Sequence, residues 1–168
     1  PEAGQLLAAL RDKPCDDAAC SYCRSTHNPQ HELKRYFGFD DFRHEAPGQS
    51  MQHDIVLASM GGDSVLAVLA TGGGKSICYQ LPALNRYHRN GSLTIIISPL
   101  QSLMKDQVDG LLARNVQCAA ALNGLLTMPE RADVLEKIQM GDIGLLLVSP
   151  EQFRNKAFRK AIAHRQIG

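Results

Sequence analysis

From Gly61 onward, apolar runs alternate with stretches of helical periodicity. The strand candidates are Ser64–Leu69, Leu93–Ser98, Gln117–Ala121 and Gly144–Ser149. Ile95-Ile96-Ile97 and Leu145-Leu146-Leu147-Val148 are continuously apolar, as in parallel strands covered on both faces. The intervening stretches read as helices. Ser98-Pro99 has the form of an N-cap and first-turn proline, opening a helix with Leu100, Met104, Val108 and Leu111 on one face. Thr127-Met128-Pro129-Glu130 has the form of a capping box. Ser149-Pro150-Glu151 repeats the cap and proline with an acid in the first turn. The alternation predicts an α/β fold, a doubly wound, mostly parallel sheet with right-handed crossovers. Ligands of such sheets bind beyond the carboxyl ends of the strands, where Gly72–Ser76, Ser98–Leu103 and Ser149–Gln152 fall. Ahead of Gly61 the pattern changes. A mildly amphipathic helix, Pro1 to Leu10, leads into a Cys-, His- and Asp-rich stretch up to Gln30, then a short helix from His31 to Phe37.

The first chemistry sits between a strand candidate and a helix. Val65 to Leu69 runs into Thr71-Gly72-Gly73-Gly74-Lys75-Ser76, and a helical segment, Ile77 to Tyr87, follows. Strand, glycine loop, Lys-Ser and helix is the context of a P-loop. Glycines let backbone N–H groups curl around phosphate oxygens, and the helix N-terminus adds partial positive charge. Lys75 is placed to reach the β- and γ-phosphates, and the Ser76 hydroxyl to hold Mg²⁺. The strict pattern has glycine five residues before Gly74, where this chain has Leu69. That departure points away from the small-GTPase loop and toward a helicase-type one.

Composition narrows the setting. The chain has 168 residues, 44% hydrophobic, enough for one good core. It does not begin with Met and stops at Ile167-Gly168 without a terminating element, so it reads as a piece of a longer protein. A formal net charge of +1 argues neither for nor against nucleic acid; a local patch must decide. No apolar run reaches the roughly 18 residues of a membrane span, and the start is not a signal peptide. Five Cys beside a nucleotide loop suggest reduced thiols in a cytosol rather than a disulfide framework.

Further motifs add up to more than a P-loop. Leu33 to Arg43 (LKRYFGFDDFR) resembles the segment ahead of the P-loop in RecQ-family DNA helicases. Thr71 to Leu84 (TGGGKSICYQLPAL) resembles that family's motif I, and Ser98 to Val108 (SPLQSLMKDQV) its motif Ia. Leu122-Asn123 and Leu147 to Phe153 (LVSPEQF) are similar to the next two signatures. The match covers about residues 31–168. The resemblance implies part of a first RecA-like domain of the P-loop NTPase fold over 31–168, preceded by a separate Cys/His-rich segment, 1–30.

It also implies roles. Phe39 and Arg43 sandwich adenine, an aromatic face and a guanidinium plane both suiting a purine. A glutamine reads the adenine edge: Gln49 fits the local Pro-Gly-Gln wording, Gln52 the distance to the P-loop and the start of a helix. Thr71, Gly72, Gly73, Gly74, Lys75 and Ser76 bind ATP with Mg²⁺. Ser98, Ser102 and Lys105, with Asn123 and Ser149, contact the DNA backbone. The partners implied are single-stranded and partially duplex DNA, and the setting a bacterial-type cytoplasm and nucleoid. The family's Asp-Glu-Ala-His motif, its aromatic-rich loop and its second RecA-like domain do not occur in these residues. The piece is therefore expected to bind nucleotide without hydrolysing it efficiently alone. Besides an ATP-dependent helicase, two readings stay open: a DNA-stimulated ATPase that remodels protein–DNA complexes, and a non-catalytic nucleic-acid-binding module with a degenerate ATP site.

Two features lie outside those motifs. Cys15, Cys20 and Cys23, with His27 close behind, offer the four ligands of a Cys₃His zinc site. The thiol spacing also matches one iron–sulfur pattern, which would need a fourth Cys, and unmetallated thiols are the third reading. The zinc site of the resembled family comes after the motor domains and does not transfer here. Cys78 on the P-loop helix reads as a small packed hydrophobe. The basic run Arg154, Lys156, Arg159, Lys160, His164 and Arg165 offers either a DNA track or a solvated helix face.

Overall fold

The computed structural model describes residues 2–168, so Pro1, at the head of the expected first helix, lies outside the described residues. The chain divides into two compact units, Pro1–Asn90 and Gly91–Gly168.

The second unit carries the sheet. Strands β1 (Thr94–Ile97), β2 (Ala119–Leu122) and β3 (Leu145–Val148) are all parallel, in the order β1-β3-β2. Parallel neighbours need crossovers. These are α6 (Gln101–Leu112) between β1 and β2 and α7 (Met128–Met140) between β2 and β3. A 3₁₀ turn, Pro150–Arg154, and α8 (Lys156–Ile162) follow. Every residue of the central strand β3 is buried, as its unbroken apolar run predicts. Leu146 and Val148 share one face of the sheet with Ala120 and Leu122, and pack against Ile138 of α7 and Phe158 and Ala161 of α8. Met104 and Leu111 are buried on α6, whereas Leu100, expected on the same face, is exposed.

The first unit is helical. It holds α1 (Glu2–Asp12), α2 (Ser21–Thr26), α3 (Pro29–Phe37), α4 (Met51–Gly61) and α5 (Lys75–Asn90). Helices α4 and α5 pack along each other, and α1 lies on α5. Polar links tie the Cys/His-rich stretch to α5. The Asn85 amide donates to the Thr26 carbonyl (2.7 Å) and to the buried Glu32 carboxylate (3.1 Å). Buried Arg89 pairs with Asp12 at 2.9 Å and lies 3.0 Å from His27 Nδ1.

Three expectations need correction. Ser64–Leu69 forms no strand: Leu66 is 95% and Val68 85% exposed, while Val65, Ala67 and Leu69 line a groove beside α4 and α5. The period-two alternation is that of a strand, but a strand also needs a neighbour to take its N–H and C=O groups. Ser98 does not cap α6. That helix starts at Gln101 after Leu100, and Ser98 Oγ accepts from the Leu100 N–H at 3.3 Å, closing a local turn instead. Ser149 precedes Pro150, but its hydroxyl donates to the Glu151 carboxylate rather than accepting from the turn's backbone N–H groups. The Thr127–Glu130 capping box is present in full.

Candidate nucleotide site

The loop between Ala70 and α5 forms a tight turn, with the Gly73 N–H donating to the Ala70 carbonyl at 3.0 Å. Gly72 and Gly74 have φ of +79° and +72°, where a side chain is strained. Gly74 also has no room: a Cβ there would run into Gln52 Nε2. Helix α5 begins at Lys75, whose exposed side chain donates to the Leu69 carbonyl at 2.9 Å and the Ala70 carbonyl at 3.1 Å. The lysine thus rests on its own loop, with its ammonium on oxygens that a phosphate can replace. Ser76 is half-buried one residue on, and Thr71 is exposed. Burial pushes the Cys78 thiol up, in keeping with a packed side chain.

Beside the loop lies a pocket of about 210 Å³ lined by Leu33, Phe39, Asp41, Arg43, Gln52, Gly74 and Ile77. Its residues come from three places. Helix α3 is started by Asn28, whose side chain accepts from the Gln30 and His31 N–H groups, and is ended by Gly38. The segment after Gly38 is pinned by buried Phe42, edge-on to His53 at 5.4 Å, which leaves Phe39 45% exposed toward the pocket. Phe39 is therefore not a core aromatic. Asp41 holds this segment in shape, accepting from the Phe42 N–H at 2.8 Å and from Gln30 Nε2 at 2.9 Å. His44, 2.9 Å away, is the main cause that keeps its carboxyl below the usual range. Helix α4 is capped by Ser50, whose Oγ accepts from the His53 N–H at 3.1 Å, and this sets Gln52 in the first turn.

Gln52 is 1% exposed and bridges the two sides. Its Oε1 accepts from the Arg43 N–H at 2.9 Å, and its Nε2 donates to the Gly73 and Gly74 carbonyls at 3.1 Å each. The Arg43 guanidinium donates to the Gly72 carbonyl. Gln49 sits elsewhere, exposed in the turn Ala46–Gln49. The structure thus gathers Phe39, Arg43, Gln52 and Gly74 at one pocket and leaves Gln49 out. Asp41, Leu33 and Ile77 were missed in the sequence. Asp41 had a signal, since it stands between Phe39 and Arg43.

In the second unit the strand register aligns Ile97, Val148 and Leu122, so Ser98, Asn123 and Ser149 leave the sheet side by side at its carboxyl end. Ser102 and Lys105 are exposed on α6, with Lys105 paired to Asp109 at 2.5 Å. Asn123 and Ser149 are buried. Asn123 Oδ1 accepts from the Leu125 N–H at 2.9 Å, and Ser149 serves Glu151. Of the basic run, Arg165 is taken up by the carbonyls of Ile138, Gly91 and Ile143, whereas Arg154, Lys156, Arg159, Lys160 and His164 are exposed. No helix among the described residues is long and apolar enough to cross a membrane.

Near the start of the chain the thiols of Cys15, Cys20 and Cys23 lie within 4.8 Å of one another. His27 is not among them; its ring faces Arg89. Burial, then Arg89, keeps that imidazole below its usual pKa.

A glycine turn of this form at the head of a helix, beside a pocket walled by an aromatic, an arginine and an amide, marks a P-loop NTPase. The sequence profile of the DEAD/DEAH box helicases matches residues 49–167, and the chain belongs to that family, with its RecA-like P-loop fold and its use of ATP and Mg²⁺. Within it, the similarity runs to RecQ helicases. The chain is 40% identical over 135 residues to the ATP-dependent DNA helicase RecQ of Haemophilus influenzae, a stretch covering 80% of this chain and 20% of that protein. It is 41% identical over 119 residues to the RecQ helicase of Synechocystis (71% and 23%). It is 44% identical over 107 residues to the ATP-dependent DNA helicase Q4 of Homo sapiens (62% and 8%). The chain spans about a fifth of the length of these bacterial relatives.

Proposed function

We propose that the chain is the nucleotide-binding part of an ATP-dependent DNA helicase of RecQ type. ATP hydrolysis there drives movement along single-stranded DNA and the opening of partially duplex DNA. Residues 31–168 are then part of the first RecA-like domain, working in a bacterial-type cytoplasm at the nucleoid. The observation that carries this reading is the pocket in which Phe39, Arg43 and Gln52 stand against Gly74 of the glycine loop. The purine lies between Phe39 and Arg43, with the Gln52 amide at its edge. Gln52 and Arg43 both hold loop carbonyls, so seating the base is felt directly by the backbone that cradles the phosphates.

Lys75 exchanges the Leu69 and Ala70 carbonyls for the β- and γ-phosphates. The Ser76 hydroxyl, at the head of α5, would hold Mg²⁺, which supplies neutralisation of phosphate charge. Of the DNA candidates, Ser98, Ser102 and Lys105 present hydroxyl and ammonium groups to phosphate. Asn123 and Ser149 act by shaping the loops that follow β2 and β3.

The test is Lys75→Ala in the full-length protein. Single-stranded-DNA-stimulated ATPase should fall by on the order of a hundredfold or more, as when one preorganised charge-stabilising donor is lost. Thermal stability should be unchanged, because no core contact is removed. Wild-type turnover by this variant would refute the assignment.

A further inference from the structure

We propose that Cys15, Cys20 and Cys23 form a zinc site, separate from the nucleotide pocket and built from the loop ahead of α2 and the first turn of α2 itself. Convergence is the first observation. The cysteines are spaced by four and two residues, yet no pair of thiol sulfurs is more than 4.8 Å apart, and Cys15 Sγ lies 3.3 Å from Cys23 Sγ. Around a tetrahedral ion with Zn–S bonds of about 2.3 Å, ligand sulfurs stand about 3.8 Å apart. The cluster matches a single ion. An iron–sulfur cluster holds its thiolates on opposite sides of its own body, and no fourth cysteine joins the group among the described residues.

The backbone takes part as well: the Cys15 N–H donates to Cys23 Sγ at 3.3 Å. Three thiolates this close repel one another unless a cation lies between them. A divalent ion removes that conflict, and binding releases the remaining thiol protons to solvent.

The loop is held by local hydrogen bonds, from the Ala19 N–H to Asp17 Oδ1 at 2.8 Å and from the Cys20 N–H to the Asp17 carbonyl at 3.0 Å, and not by apolar burial. Residues 13–19 are all exposed and form neither helix nor strand. A metal clip at both ends closes the loop onto α2, since binding energy at such sites is folding energy. His27, the expected fourth ligand, is engaged with Arg89 on the way to α5. We assign the fourth position to water, on the exposed side marked by Cys15.

The experiment uses the full-length protein purified without chelator. Elemental analysis should give one zinc per chain beyond any bound elsewhere, lost in a Cys20→Ser/Cys23→Ser variant and kept in Cys118→Ser, whose thiol is buried and outside the group. A second readout does not depend on the variant folding. The zinc-loaded protein should resist trypsin at the exposed Arg11 and Arg24, and chelator should open those sites within the same digestion time. Equal zinc in the wild type and the double variant would overturn the proposal. So would stoichiometric iron with brown colour, a Cys15–Cys23 disulfide in the purified protein, or tryptic protection indifferent to chelator.

Discussion

In Gly91–Gly168 the buried side chains of Leu146, Val148, Ile138 and Phe158 close an apolar core over the sheet. Pro1–Asn90 also buries apolar residues, among them Leu33, Val56, Leu81 and Leu84, but the contacts that reach its glycine loop and its Cys/His-rich stretch are polar, from Asn85 to Thr26 and Glu32, from Arg89 to Asp12, and from Gln52 to the glycine loop. The contrast bears on where a ligand can act. Apolar burial is non-directional, and its loss is felt as a cavity. A hydrogen bond to a loop carbonyl has direction and can be traded for one to a ligand, at little net free energy. The nucleotide pocket lies in the unit whose contacts can be exchanged in that way.

The largest stability effect should come from the apolar unit. Phe158→Ala removes a fully buried ring and its edge-on contact with Phe153 at 5.5 Å. It should cost about 3–5 kcal/mol, read as a lowered urea midpoint. A loss under about 1 kcal/mol would show that this core tolerates a cavity and would erase the contrast.

Arg89→Ala should cost less, about 2 kcal/mol. It breaks a pair in which Arg89 is buried but Asp12 is half-exposed, so solvent screens part of the interaction. Chemical denaturation measures it, and a double-mutant cycle with Asp12→Asn isolates the pair. An additive cycle would place the stabilisation in packing of the Arg89 stem rather than in the charge.

The smallest effect should be on ligand alone. Arg43→Ala should weaken ATP by about 1–2 kcal/mol while leaving inorganic triphosphate nearly unaffected, as titration calorimetry would show. Equal losses for both would mean that Arg43 does not face the base. Gln52→Ala should blur the choice between ATP and GTP and also loosen the glycine loop that its amide holds, whereas Gln49→Ala should leave both intact, because Gln49 sits in an exposed turn.

The sheet was legible because β1 and β3 are apolar on both faces, a pattern independent of what surrounds them. The stretch 64–69 carries an apolar run just as clear, yet pairing is a property of neighbours and no local pattern supplies one. The resemblance put Phe39, Arg43 and a glutamine together, and in the structure it is Gln52 that meets them, because Ser50 caps α4 and fixes Gln52 in the first turn. Asp41 was passed over because its work is to hold backbone, and hydrogen bonds of that kind leave no periodic trace. His27 was expected beside the thiols on spacing alone. The actual direction of its ring depends on Arg89, sixty-two residues away in sequence. Ser98 carried a capping signature, but the helix begins three residues later and the hydroxyl closes a tighter turn.

The exposed strip of residues 64–69 has a consequence for colloidal behaviour. A segment outside the sheet is open to a second chain, and Leu66 and Val68 would give such a meeting an apolar grip. Asp63 and the glycines Gly61 and Gly62 stand at its entrance. A charge beside a sticky stretch works as a gatekeeper, since stacking copies in register would bring the carboxylates together. Removing that charge, as in Asp63→Asn, should therefore lower the solubility of isolated preparations of this chain.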